Sequence, residues 1–249
     1  KSEVKKLVSL ARVNTYRQKN KLNSIPITCH LVFSGNPGTG KTTVARLIGN
    51  IYRCLGIIDK GHIVECDRSA LVAGYTGQTA IKTSEKVNEA LGGVLFVDEA
   101  YSLTQKDSDS FGGEAIDTIL KAMEDHRSDL IVIVAGYKDE MAVFLESNPG
   151  LRSRFKNFLH FDDFASNELL DIFKLFCKSN KIKLLKDAEV KLKRKIDSML
   201  SAEMRHFGNA RAMRNLFEDA LSNQAIRAPS DNVIEKHEVG EFTPDDIPK

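Results

Sequence analysis

The sequence predicts an α/β fold, a parallel sheet between helices, followed by a small all-helical domain. Three observations carry this. Short apolar, β-branched runs alternate with helical patterns up to about Phe161, as strands joined by crossover helices require. A glycine-rich loop, Gly35-Asn36-Pro37-Gly38-Thr39-Gly40-Lys41-Thr42, stands between the first of those runs and the first of those helices. Beyond Phe161, three helical patterns follow without a strand between them. The boundaries read 1–161 for the α/β domain, 162–228 for the helical domain, and 229–249 for a polar C-terminal tail that frays.

In chain order, residues 2–19 repeat apolar positions (Val4, Leu7, Val8, Leu10, Ala11, Val13) at helical spacing. The lysines and arginines opposite them read as a solvated face. Residues 20–27, with Pro26, lead into a first strand at 30–34. A helix follows the glycine loop, residues 56–61 turn the chain, and 62–66 form a second strand. Residues 71–78 hold too much glycine for a regular element, with Tyr75 between Gly74 and Gly77. A helix spans 79–91, and Val94-Leu95-Phe96-Val97 is a fully buried strand ending in Asp98 and Glu99. Residues 105–113 form a polar loop, 114–126 a helix, 130–135 a strand, 139–146 a short helix, 148–150 a turn and 158–161 the last strand. The later helices run 166–179, with Ser166 as N-cap, 187–202 and 210–228.

Composition is that of an ordinary globular chain: 249 residues, 42% hydrophobic and 28% charged. A net charge of +2 argues against an extended nucleic-acid surface. No apolar run is long enough to span a bilayer. Cys29, Cys54, Cys66 and Cys177 lie far apart without metal spacing, as in a reduced, cytoplasmic protein. The chain opens on Lys1-Ser2-Glu3 rather than methionine, which leaves a lost targeting peptide open.

The glycine loop fits G-x-x-x-x-G-K-[ST] in the strand-loop-helix context a phosphate-binding loop needs. The backbone of Asn36, Pro37, Gly38, Thr39, Gly40, Lys41, Thr42 and Thr43 would surround a triphosphate, with N–H groups and the helix dipole aimed at it. Lys41 would reach the β and γ phosphates, and the Thr42 hydroxyl would hold Mg2+. In a parallel sheet, ligands bind at the carboxyl ends of strands, where Asp98 and Glu99 are delivered. Asp98 would hold Mg2+ through its water shell, and Glu99 would activate the attacking water as general base. Two solvated acids capping a strand are the plainer reading; beside a phosphate loop, catalysis is the stronger one.

With these residues the chain resembles the AAA+ ATPases over nearly its whole length, most closely the group containing the CbbX-type rubisco activases and stage V sporulation protein K. The glycine loop through Thr43 carries the resemblance first. It continues in Val72-Ala73-Gly74-Tyr75-Thr76-Gly77-Gln78-Thr79-Ala80, Gly92-Gly93-Val94-Leu95-Phe96-Val97-Asp98-Glu99-Ala100-Tyr101 and Ala135-Gly136-Tyr137-Lys138-Asp139-Glu140-Met141. Asn148-Pro149-Gly150-Leu151-Arg152-Ser153-Arg154-Phe155 and Gly208-Asn209-Ala210-Arg211 complete it.

The resemblance implies an AAA+ core with a helical lid, ATP and Mg2+ as cofactors, and a homo-oligomeric, six-membered ring with ATP at each subunit boundary. It places the arginine finger at Arg154, or alternatively Arg152, supplied by the neighbouring subunit. Arg211 matches the sensor-2 arginine of the lid. Tyr137 stands where many relatives carry a small polar sensor-1 residue, so it is either a phosphate or water contact or a packed aromatic. Tyr75 aligns with the pore-loop aromatic that grips a protein substrate, and residues 105–113 would be a second pore or interface loop. The implied function is an ATP-driven protein remodeller. A nucleotide-dependent scaffold and, disfavoured by charge, a nucleic-acid motor are the alternatives.

Overall fold

Five apolar runs become one parallel sheet: β1 (Leu31–Gly35), β2 (Ile63–Cys66), β3 (Gly93–Val97), β4 (Leu130–Gly136) and β5 (Asn157–Phe161). The order is β2-β3-β4-β1-β5, with every neighbouring pair parallel. The computed structural model describes residues 8–10, 12, 13, 16, 17, 19–23, 28–75, 77–104, 111–201, 207–227 and 239–248. It groups the chain into two compact units, one of residues 1–35 and 41–161, the other of 36–40 and 162–249.

In the first unit, alternate strand residues enter opposite cores. Leu31, Phe33, Val94, Phe96, Ile131 and Ile133 pack with Ala45, Ile48 and Tyr52 of α1 (Lys41–Cys54). Val32, Leu95, Val97, Val132 and Val134 form the other face. They pack against residues of α3 (Gln78–Ala90), α4 (Phe111–Asp125) and α5 (Lys138–Glu146). Burial on both faces is why these strands read as continuous apolar runs.

Several expectations change here. A short helix, α2 (Arg68–Leu71), precedes the glycine-rich stretch, because the Asp67 carboxylate caps it by accepting from Ala70 N–H at 2.8 Å. A 3-10 turn, Ala100–Thr104, follows the two acids. Of the expected loop 105–113, residues 105–110 lie outside the described residues, and 111–113 belong to α4. Gly112 is fitted there so closely that a Cβ would stand 2.0 Å from the Leu103 carbonyl oxygen. The expected turn at 148–150 is the start of α6 (Pro149–Arg154). Asn148 caps it by accepting from Gly150 N–H at 2.7 Å, and Pro149 suits the first turn. In the expected N-terminal helix, the described residues from 8 to 19 are helical, but Leu10 and Val13 are 40% and 50% exposed. Residues 1–7, 11, 14, 15 and 18, and 24–27 of the following loop, lie outside the description.

The second unit holds α7 (Ser166–Ser179), α8 (Lys186–Ser201) and α9 (Ala210–Arg227) around its own apolar core. It is not entirely helical: β6 (Lys183–Leu184) pairs in parallel with β7 (Glu241–Phe242). The polar tail expected over 229–249 is corrected by the same pairing. Phe242 is fully buried against Phe173 and Phe217, with ring centroids 6.2 and 5.6 Å away. Asp246 is also buried, accepting from Arg227 at 2.8 and 3.0 Å and from Thr243 N–H at 2.7 Å. Burial alone would raise the Asp246 pKa, but Arg227 and Thr243 hold it below the ordinary carboxylate value. Lys191 donates to the Pro244 and Ile247 carbonyls at 2.7 Å each. Residues 228–238 and 249 lie outside the description, as does residue 202 of the expected second helix. Ser166 is not the N-cap: Ala165 holds that place, its N–H on Glu168 at 2.8 Å, and the Ser166 hydroxyl bonds Asp197.

None of the four cysteines forms a disulfide; burial pushes the Cys29, Cys66 and Cys177 thiols up to about 11. Among the described residues no helix is long and apolar enough to cross a membrane.

Candidate functional site

Because all five strands are parallel, their carboxyl ends share one edge of the sheet. β1 ends at Gly35, and Lys41 opens α1 directly after the loop. The Lys41 ammonium donates to the Gly35 carbonyl at 2.8 Å, and Thr42, half-buried, follows it. Gly35 admits no side chain, since a Cβ would stand 2.4 Å from the Phe161 carbonyl oxygen on the next strand. Two strands away, β3 delivers Asp98 and Glu99. Asp98 N–H continues the ladder to the Cys66 carbonyl at 2.8 Å. Glu99 then turns with φ +48°, a left-handed conformation costly for a non-glycine residue. Its N–H rests on the Asp98 carboxylate at 3.1 Å, and its carbonyl accepts from Ser102 N–H at 2.8 Å. The Glu99 side chain is exposed and Asp98 half-buried.

Between these two strands lies β4, whose end carries Tyr137 as the cap residue of α5. Its ring packs on Tyr101 with centroids 5.9 Å apart. Burial, then Glu99 and Tyr137, push the Tyr101 hydroxyl up to about 12. Gly136 leaves room for this pair, because a Cβ there would meet Tyr101 and Met141 at 2.7 Å. Thus topology brings Lys41, Thr42, Asp98, Glu99 and Tyr137 to one edge.

Arg152 and Arg154 stand before the amino end of β5, at the opposite edge. Arg152 is exposed. Arg154 folds back toward α4, 3.5 Å from the Glu124 carboxylate, whose other oxygen lies 3.5 Å from Arg127. The Arg154 Nε is buried without a hydrogen-bond partner among the described residues. Tyr75 is 73% exposed on its loop; its neighbour Thr76 lies outside the described residues.

The first half of the glycine loop, residues 36–40, belongs to the second unit. Asn36 Nδ2 donates to both Asp163 oxygens at 3.0 and 2.9 Å. Asn209, fully buried, donates from Nδ2 to Asp163 at 2.8 Å, to the Pro37 carbonyl at 3.2 Å and to the Phe207 carbonyl at 3.1 Å. Its Oδ1 accepts from Phe164 N–H at 3.0 Å. Ala210 N–H donates to the Gly38 carbonyl at 3.1 Å. Gly38, at φ +74°, fits under Gly208, whose carbonyl oxygen a Cβ would approach to 2.2 Å. Arg211 follows, exposed, in the first turn of α9. Sequence reading missed Asp163 and Asn209. The signal for Asn209 was its place in Gly208-Asn209-Ala210-Arg211, where asparagine is a residue that tolerates left-handed backbone, here φ +48°.

A parallel sheet with a G-x-x-x-x-G-K-T loop after one strand and paired acids after another is the arrangement of the P-loop nucleoside triphosphatases. Residues 31–163 match the ATPase family associated with various cellular activities (AAA), and 165–249 match its lid domain. The chain belongs to this AAA ATPase family. It is 42% identical over 228 residues to the chloroplastic ribulose bisphosphate carboxylase/oxygenase activase of Cyanidioschyzon merolae, covering 91% of this chain and 77% of that one. Stage V sporulation protein K of Bacillus subtilis is also 42% identical over 228 residues (91% and 71%), as is CbbX of Cereibacter sphaeroides (91% and 73%). Among solved structures, the RuvB Holliday junction branch migration motor of Thermotoga maritima superposes with a TM-score of 0.61 at 19% identity, over 99% of this chain and 66% of that one. That likeness is one of fold alone.

Proposed function

We propose that this protein is an ATP-hydrolysing remodeller of other proteins, of the activase type, working as a homo-oligomeric, six-membered ring. One observation carries the reading: Lys41-Thr42 and Asp98-Glu99 come to one sheet edge in a chain 42% identical to a rubisco activase. Left-handed glycines at 38 and 40 (φ +74° and +91°) and a lysine at the helix start suit a triphosphate. The Thr42 hydroxyl and Asp98 carboxylate are the hard oxygen donors Mg2+ takes, and few protein ligands suffice because phosphate and water complete its shell. Held by Thr42 and Asp98, Mg2+ would supply neutralisation of the triphosphate's negative charge.

The chain's own residues divide the remaining work. Lys41 holds the β and γ phosphates. The Glu99 carboxylate orients the attacking water and takes its proton, and the exposed, strained position of that side chain suits the task. A guanidinium from a neighbouring copy meets the charge that grows on the γ-phosphate. Arg154 is our choice over Arg152, since its 3.5 Å contact with the half-exposed Glu124 is weak enough to yield to a phosphate. Arg211 serves as the lid's phosphate contact. Tyr137 we assign to packing on Tyr101. Tyr75, exposed on a glycine-flanked loop, grips the substrate chain. A compartment that keeps thiols reduced, the cytoplasm in our reading, suits four cysteines outside any disulfide.

Glu99→Gln tests the hydrolytic assignment. ATP binding should persist while turnover falls about 10²–10⁴-fold. Turnover at the wild-type rate would remove Glu99 from the mechanism.

A further inference from the structure

We infer that Asn209 and Asp163 are positioning residues for the phosphate loop, setting the direction in which its N–H groups point. The inference rests on the reading of residues 35–42 as an ATP site. In a trans peptide the C=O and N–H point in opposite directions. Asn209 Nδ2 holds the Pro37 carbonyl at 3.2 Å, so the N–H of Gly38 is turned the other way. Ala210 N–H holds the Gly38 carbonyl at 3.1 Å, which turns the N–H of Thr39 likewise. Two successive donors are therefore aimed by bonds made on the outer side of the loop. A nest of such N–H groups is what an anionic phosphate needs, and fixing it beforehand spares reorganisation on binding.

Asp163 fastens the arrangement. Its carboxylate accepts from Asn36 at 2.9 and 3.0 Å and from Asn209 at 2.8 Å. It thereby ties the first residue after Gly35 to the residue that holds Pro37. Asn209 keeps a left-handed backbone, φ +48°, and is fully buried, yet its amide meets four partners: Asp163, Pro37, Phe207 and Phe164. A buried amide so fully engaged, on a backbone that glycine would adopt more easily, is retained for its side chain. Two side chains outside the glycine-loop motif thus contribute to nucleotide affinity without touching nucleotide.

The test uses the whole chain and ADP as probe. Asn209→Gly keeps the left-handed backbone accessible while deleting the amide. It should weaken ADP binding about tenfold, the loss of one or two hydrogen bonds. The KM for ATP should rise more than kcat falls. The thermal midpoint without nucleotide should fall, since Phe164 N–H and Asp163 lose a buried partner, and its upward shift on adding ADP should shrink as well. Asp163→Ala should act in the same direction, and Asp163→Asn, which keeps one acceptor oxygen, should fall between it and wild type. If Asn209→Gly does not fold, the Asp163 pair decides by the same measurements. Wild-type affinity in the folded variants would overturn the inference. Failure of the wild-type chain itself to bind ADP would instead overturn the ATP-site reading beneath it.

Discussion

His30 ties the start of β1 to β4: its Nδ1 accepts from Val132 N–H at 3.0 Å, and Phe155 meets its ring edge-on at 6.2 Å. Burial first, then the Arg154 and Arg127 charges, lower its pKa from 6.5 to about 4. The folded chain therefore keeps His30 neutral where the unfolded chain protonates it. Between those two values the unfolded state binds the extra proton, so stability is fully present above pH 6.5 and is lost as pH falls toward 4. The loss amounts to at most about 3 kcal/mol. Denaturant melts across this window should show the decline. His30→Asn, which keeps an acceptor for Val132, should flatten it. An equal slope in both proteins would place the pH dependence elsewhere.

The C-terminal pairing of β6 with β7 shows how a short segment completes a core. Phe242 closes an aromatic cluster with Phe173 and Phe217, and Asp246, Lys191 and Gln224 fasten the backbone on either side. Phe242→Ala should cost about 3–5 kcal/mol, read as a lowered denaturant midpoint. A loss below about 1 kcal/mol would mean the segment only rests on the helices. This element was illegible in the sequence, because Phe242 and Ile247 are isolated apolar residues among polar ones and carry no period. The central strands were legible for the opposite reason: Leu130-Ile131-Val132-Ile133-Val134 is buried on both faces and admits nothing polar. Short helices escaped where their signal is a cap rather than a period, as at Asp67 and Asn148. Of the candidate site, the motif residues could be read from spacing and chain order. Asp163 and Asn209 could not, since their role lies in contacts made across 46 residues of sequence.

The parallel sheet separates the two halves of the proposed chemistry. Lys41, Thr42, Asp98 and Glu99 gather at its carboxyl edge, whereas Arg152 and Arg154 stand before the amino end of β5. A site that needs both must draw the arginine from another copy, in a head-to-tail contact that closes as a ring. In the proposed mechanism, hydrolysis requires Glu99 from one subunit and Arg154 from the next. Mixing Glu99→Gln with Arg154→Ala, each inactive alone, tests it most directly. In randomly mixed rings about a quarter of the boundaries would join an intact Glu99 to an intact Arg154. ATPase activity should reappear on mixing, at up to about a quarter of the wild-type rate. Persistent inactivity of the mixture, with both variants still assembling and binding ATP, would contradict it.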